Sequence, residues 1–279
     1  RLLRAQPRWA TPRTLAYFHV AGLWLFLLLS ARECQAQLGR FGDAYSSWPL
    51  LGWVLVPVLV LWALRSRALL QRWPLNEHRR AYLEWALAPV AAYLLGWCWA
   101  SNVLSAGDAA PLPFVPVLNP LELAHWLVLA ALLLWCKALE GSSTLRLNAS
   151  LVKGAAGVTA WALVTGAVLR ACHHYADVPW QADALFASWL TQAALSITWA
   201  LCGVAAMVLG HGRGSRAVWL GGAMLIGVVV LKLFFIELAN QGGLFRIVSF
   251  IGVGALLLLV GYFAPVPPAK PALQEASAA

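Results

Sequence analysis

The chain contains eight long runs of mostly apolar residues, and these runs constrain its fold more than any other feature. A helix needs about 20 apolar residues to cross the hydrocarbon core of a bilayer, and each run is close to that length. The connections between them leave no room for a soluble domain. We therefore predict an all-α fold, a polytopic transmembrane helical bundle over residues 1–264. The predicted spans cover residues 14–31, 48–64, 81–100, 120–137, 154–170, 185–209, 218–236 and 245–263.

The composition excludes an ordinary soluble protein. Hydrophobic residues make up 61% of the 279 residues and charged residues only 11%, whereas soluble domains carry about 25% charged residues. The mean hydropathy is +0.72, and the chain has 16 Trp residues, a type favoured at membrane–water interfaces. The five Cys residues form no CxxC pair, which supports neither a disulfide framework nor a zinc site. We expect contact with the lipid bilayer, and no metal, cofactor or nucleic-acid partner.

The positive charges alternate between successive connections. Fifteen Lys and Arg residues lie on one set of alternate connections and four on the other, and positively charged loops stay in the cytoplasm. With eight spans, this asymmetry predicts that both termini are cytoplasmic and that connections 101–119 and 170–183 lie on the outer face. The Pro/Ala-rich segment 265–279 is expected to be a disordered tail.

These two connections, among the outer ones, contain several polar residues of interest. Asn119, followed by Pro120, suits the cap and first turn of the fourth span. His173, His174 and Asp177 could bind a metal or shuttle protons. Neighbouring positions on a helix point about 100° apart, however, and zinc helices place His residues at i and i+4. We favour interfacial polar anchors here, with a metal or proton site as the alternative.

The stretch 231–250, LKLFFIELANQGGLFRIVSF, places three charges at the end of the seventh span and the start of the eighth. Lys232 lies near the outer end of its span, so its stem can extend towards the interface. Glu237 is about 140° around the helix from Lys232 and is expected to meet Arg246 across the NQGG turn. We favour a structural clasp between the two spans, and a ligand site is the alternative.

Other residues inside the predicted spans indicate helix packing. Gln192 and Ser196 are expected to hydrogen-bond a neighbouring helix, and Gly154 and Gly157 to permit close helix contacts. His125 lies near the start of the fourth span, where it either is interfacial or faces the bundle interior.

Four segments resemble the C-terminal region of domain-of-unknown-function family 2339, which comprises bacterial predicted membrane proteins with many spans. The resemblance implies a multi-pass protein of the bacterial inner membrane and no particular activity. Family members are typically longer and this chain begins at Arg1. The resemblance therefore also implies a C-terminal portion, with the upstream part or other membrane subunits as partners. The family pattern has Asp where this chain has Glu237. The segments are VPVLNPLELAHWL (115–127), VLRACHHYADVPW (168–180), QAALSITWALCGVAAMVLG (192–210) and VVLKLFFIELANQGGLFRIVSFIGVGALLLLVGYFAP (229–265).

These observations combine into the hypothesis of one polar site on the outer face. Two Arg and one Lys there would suit an anionic lipid-linked or cell-envelope substrate. The candidate residues are Arg170, His173, His174, Asp177, Trp180, Lys232, Glu237 and Arg246, with Asn119 and Ser249 in support.

Two classes of function fit this site. No nucleophile–base pair can be named from spacing, so we favour a non-catalytic or transport-type component of the cell envelope. The alternative is an envelope enzyme, a transferase acting on a lipid-linked sugar or acyl substrate. Such an enzyme needs a general acid or base within reach of the outer face, and His173, His174, Asp177 and Glu237 are its candidates.

Overall fold

The structure is a computed structural model that describes residues 11–43, 46–64, 66–139, 145 and 147–233, together with residues 251, 254, 255, 258 and 261. Apart from those last five residues, the predicted eighth span lies outside the described part of the chain. So do the predicted tail 265–279 and the candidates Glu237, Arg246 and Ser249. Within the described residues all regular structure is helical, as the apolar runs predict.

The described helices follow the apolar runs along the chain. The fourth helix begins with a π-helical segment, Ala81–Ala86, before it continues as an α-helix. The helices are α1 (Pro12–Leu38), α2 (Trp48–Ala63), α3 (Arg67–Leu70), α4 (Ala81–Leu104), α5 (Pro120–Ala138), α6 (Ala149–Ala176), α7 (Ala182–Ala187), α8 (Trp189–Gly212) and α9 (Arg216–Lys232).

Five of the described helices are long and apolar enough to cross a membrane: α1, α4, α5, α6 and α8. Helix α2 is apolar but shorter, with 16 residues. The chain is therefore a multi-span helical protein. The count of eight spans and the cytoplasmic position of both termini stay predictions.

Local sequence explains where α5 and α6 begin and end. The Asn119 side chain accepts a hydrogen bond from the backbone N–H of Leu121, and Pro120 follows at the first helical position. This confirms the predicted cap. Helix α6 continues to Ala176 and ends at Asp177, whose φ of 52° lies in the left-handed region. Because α6 extends beyond its predicted span, Arg170 lies inside the helix and not in the following connection.

The chain divides into two compact units, residues 1–180 and residues 181–279. In the first unit, α4 contacts α1, α2, α5 and α6. Leu87 and Leu94 of α4 and Val128 of α5 are fully buried in the main apolar core. Because α4 touches four other helices, it is the central element of this unit.

In the second unit, α8 and α9 form an antiparallel pair joined by a short turn. A Cβ atom at Gly222 would lie 2.5 Å from the carbonyl oxygen of Gly203, and one at Gly210 would lie 2.5 Å from the backbone nitrogen of Trp219. Glycine at these positions lets the two backbones approach closely, as in many membrane helix pairs. By contrast, a Cβ at Gly154 or Gly157 of α6 would meet no atom of the described residues within 4 Å. Within the described part of the chain, the close contacts expected at those two residues do not occur.

Candidate functional site

Arg170 is the most buried of the described charged residues in the first unit. Its side chain is 0% exposed, and its Nε donates to Oε1 of Glu122 at 3.2 Å. Its Nη1 and Nη2 donate to the backbone oxygen and to Oδ1 of Asn102, at 3.2 and 3.1 Å. Asn102 lies in the last turn of α4, where carbonyl groups lack helical partners. One side chain of α6 thus pairs with an acid of α5 and completes the end of α4.

The loop between α4 and α5 is fastened to the same group. Asn119 donates from Nδ2 to the backbone oxygen of Gly107 at 2.8 Å, and Oε2 of Glu122 accepts a hydrogen bond from the backbone N–H of Val117. Gly107 has a φ of 83°, and a Cβ there would lie 2.7 Å from Cδ of Arg170. Only glycine fits both the backbone conformation and the space. We call Asn102, Gly107, Asn119, Glu122 and Arg170 the Arg170 junction.

The end of α6 and the loop form a surface above this junction. The ring of His174 stacks on Phe114, with ring centroids 4.2 Å apart, and its Nε2 lies 2.9 Å from the backbone oxygen of Ala106. Asp108 lies 3.9 Å from the same nitrogen, and its side chain is 54% exposed. Tyr175, which is 64% exposed, donates from its hydroxyl to the backbone oxygen of Phe114 at 2.8 Å. The structure therefore offers a firmly held, partly exposed polar surface.

His173 points to a different set of partners. Its Nδ1 lies 2.7 Å from the backbone oxygen of Val178, and its ring meets the edge of Trp180 at 6.0 Å. The rings of His173 and His174 are 4.8 Å apart at an angle of 65°. No group of three metal-binding side chains occurs in the described part of the chain. The two histidines instead fasten the exit of α6 to the segments beside it.

A second polar pair, Ser101 with His125, lies one helical position from Asn102. Oγ of Ser101 is 2.8 Å from Nε2 of His125 and 2.7 Å from the backbone oxygen of Trp97. The two residues are only 4% and 1% exposed, so His125 faces the bundle interior. Its Nδ1 has no hydrogen-bond partner among the described residues.

Lys232 belongs to the second unit. Its Nζ donates to the backbone oxygen of Gln192 at 2.9 Å and to Oγ of Ser196 at 2.6 Å. The residue is 9% exposed, so its ammonium group lies against α8. Gln192 and Ser196 do hydrogen-bond a neighbouring helix, as predicted. That Lys232, Glu237 and Arg246 share one site with Arg170 and the histidines stays a prediction.

Sequence reasoning missed Glu122 and Asn102, which hold Arg170. One signal was available for Glu122, because it follows the cap residue Asn119 by three positions, the spacing of a capping box. Glu122 and His125 are also three apart and therefore share a helix face. Nothing in the sequence around Asn102 distinguishes it from a polar residue at a helix end.

The comparison with protein families gives one match. The model of the family described as "Predicted membrane protein (DUF2339)" matches residues 1–267. No curated protein and no solved structure matches the chain. Because the match extends over nearly the whole sequence, the chain belongs to this family of membrane proteins.

Proposed function

We propose that this member of the DUF2339 family is a non-catalytic component of the bacterial inner membrane that presents a preformed polar site to the outside. The site binds a component of the cell envelope. The observation that carries the proposal is the Arg170 junction, in which a fully buried cation is used to hold a loop. The presented groups are Asp108, His174, Tyr175 and Asp177.

The bonds of Arg170 explain why its role is structural. All three of its nitrogens donate to protein acceptors, Glu122 and Asn102. Removing one partner of a buried ion pair strongly destabilises the protein. Arg170 would have to leave Glu122 in order to bind a substrate anion. Arg170 therefore acts on the site through the loop that it fixes.

The interior of the first unit favours a binding role over passage of a polar solute through this unit. Along α4, the buried residues between Glu84 and Ser101 are Ala86, Leu87, Val90, Ala91, Leu94 and Cys98. This apolar stretch is about 18 Å long at 1.5 Å per residue. A polar solute moving along it would lose its hydrogen bonds at considerable cost.

One observation favours an envelope enzyme as a second candidate. Ser101 and His125 are within hydrogen-bond distance, the arrangement of an activated serine nucleophile. However, the Ser101 hydroxyl also has the Trp97 carbonyl as an acceptor, and both residues are buried. We rank this candidate second. Reaction of the purified protein with a fluorophosphonate probe at Ser101 would favour it over the non-catalytic role.

Cysteine labelling tests the outward presentation. Ala176→Cys lies at the exposed end of α6 and Gln71→Cys in the exposed connection before α4, and intact cells are treated with a membrane-impermeant maleimide. We expect labelling of Ala176→Cys in intact cells and of Gln71→Cys only after permeabilisation. The parent chain with its five natural Cys residues gives the background. The reverse pattern would overturn the proposal.

A further inference from the structure

A cavity of about 280 Å³ lies between α1, α2 and α4 of the first unit. Among its lining residues are Trp24 and Leu28 of α1, Trp53 of α2, and Pro89 and Tyr93 of α4. Pro89 and Tyr93 lie about 12–18 Å from the start of α4 at 1.5 Å per residue, and the hydrocarbon core is about 30 Å thick. The cavity is therefore near the middle of the membrane.

The cavity opens sideways. Leu28 is 58% exposed and Tyr93 is 43% exposed, so both belong to the outer surface of the helices at this depth. At the middle of a membrane helix that surface meets lipid chains, not water. A ligand that enters through this opening must come from the bilayer.

The hydroxyl of Tyr93 and the indole nitrogen of Trp24 are both bonded to backbone carbonyl groups. Pro57 has no N–H, so it cannot bond the carbonyl of Trp53 four residues earlier; the hydroxyl of Tyr93 donates to that carbonyl at 3.1 Å. Nε1 of Trp24 donates to the backbone oxygen of Ala86 at 3.0 Å. These two bonds connect α4 to α2 and to α1. They hold the walls of the cavity and leave its interior apolar.

We propose that this cavity binds one hydrocarbon chain of a membrane lipid. Water does not fill apolar cavities of this kind, and a polar solute would lose its hydrogen bonds there. The volume is about nine times the roughly 30 Å³ that one water takes in the liquid, which suits a segment of a lipid chain. The apolar lining disfavours a charged headgroup, which would lose its hydrogen bonds there. The hydrocarbon chain leaves an equally apolar environment, the bilayer, when it enters the cavity. Shape complementarity and packing contacts therefore hold it there.

Photo-crosslinking of the full chain in lipid nanodiscs tests this site. The probe is a phosphatidylethanolamine with a diazirine at the middle of one acyl chain, and crosslinked peptides are mapped by mass spectrometry. We expect crosslinks concentrated on the peptides that contain Trp53 and Tyr93. A probe with the diazirine beside the headgroup should give several-fold fewer crosslinks there.

Two matched variants separate the cavity from the general lipid surface. Leu28→Trp places an indole at the mouth of the cavity and should reduce crosslinking to the Trp53 and Tyr93 peptides several-fold. Leu29→Trp is the control, because Leu29 is 60% exposed, lies next in α1 and does not line the cavity. It should leave the crosslinks unchanged. If Leu28→Trp does not fold, Ala31→Leu, at another lining position, replaces it.

Three outcomes would overturn the proposal. Crosslinks could spread evenly over all lipid-facing helices, which would indicate that lipid only surrounds the protein and does not bind in the cavity. Both tryptophan variants could reduce the crosslinks equally. The cavity peptides could also stay free of crosslinks while neighbouring exposed peptides react, which would mean that another segment of the chain covers the cavity.

Discussion

The two ends of α4 hold their buried polar residues in different ways. Asn102, in the Arg170 junction, and Tyr82, near the start of α4, are about 30 Å apart at 1.5 Å per residue. At the Tyr82 end, Nδ1 of His19 lies 2.9 Å from the Tyr82 hydroxyl. The His19 ring is 4.4 Å from that of His78 and 6.0 Å from that of Trp73. We call His19, Trp73, His78 and Tyr82 the His19 cluster.

The difference between them follows from charge. In the Arg170 junction a cation and an anion are both fully buried, and each is bonded to further groups from other segments. In the His19 cluster, the His19 ring lies edge-on to Trp73 and tilted against His78 and Tyr82, and it is hydrogen-bonded to the Tyr82 hydroxyl. Nε2 of His19 has no partner among the described residues. Burying a charge without partners is far more costly than burying a neutral polar atom. We therefore expect the junction to fix the fold and the cluster to tolerate change.

The largest effect is expected for Glu122→Gln. This change leaves the buried Arg170 without a counter-charge and replaces one of the two oxygens that accept from Arg170 and Val117. Breaking a buried ion pair costs about 3–5 kcal/mol. We expect the free energy of unfolding, measured by SDS titration of the protein in mixed micelles, to fall by that amount.

A double-mutant cycle then measures the interaction free energy between Arg170 and Glu122. Arg170→Met alone should be similarly destabilising because it leaves Glu122 charged and buried. The combination of Arg170→Met with Glu122→Gln should cost less than the sum of the two single changes, since neither charge then stays unpaired. Additive losses would mean that the two residues stabilise the fold independently, and the junction would not be a coupled unit.

The next effect concerns the space beside Asn102. A Cβ at Gly166 would lie 2.1 Å from Oδ1 of Asn102, so Gly166→Ala must displace the side chain that accepts from Arg170. Overpacking of a core costs about 1–3 kcal/mol. Gly157→Ala in the same helix has open space and should be neutral or slightly stabilising, because Ala favours helix over Gly. Equal midpoints of thermal unfolding for the two variants would contradict the prediction that Asn102 leaves no space for a side chain at position 166.

The sequence was sufficient for the all-α fold and for the cap at Asn119, because both depend on local signals. Length and apolarity indicate a membrane helix, and Asn followed by Pro indicates its start. The sequence also indicated that Arg170, His174 and Asn119 belong together, since their connections fall on the same predicted side. That inference depends only on the predicted membrane topology.

The internal arrangement of the site could not be read from the sequence. The sequence predicts that Arg170 is available to a ligand because its predicted span ends there, whereas α6 continues to Ala176. Glu122 and Asn102, 48 and 68 residues away from Arg170, become its partners only through helix packing. Likewise, Gly154, Gly157 and Gly166 look alike in the sequence. Only Gly166 faces another helix closely, because it lies four residues before Arg170 and shares its face.

The smallest effect is expected at the other end of α4, for Tyr82→Phe. The change keeps the ring but removes the hydroxyl that bonds Nδ1 of His19, and a single neutral hydrogen bond contributes about 1 kcal/mol. Tyr17→Phe is the matched control, because Tyr17 is 62% exposed and stacks on Trp85; it should change the free energy of unfolding by less than about 0.5 kcal/mol. In the same SDS titration, a loss for Tyr82→Phe as large as that for Glu122→Gln would show that the neutral cluster fixes the fold as strongly as the ion pair. The two ends would then be equally sensitive, and the number of residues packed around each group would explain their contribution to stability better than charge does.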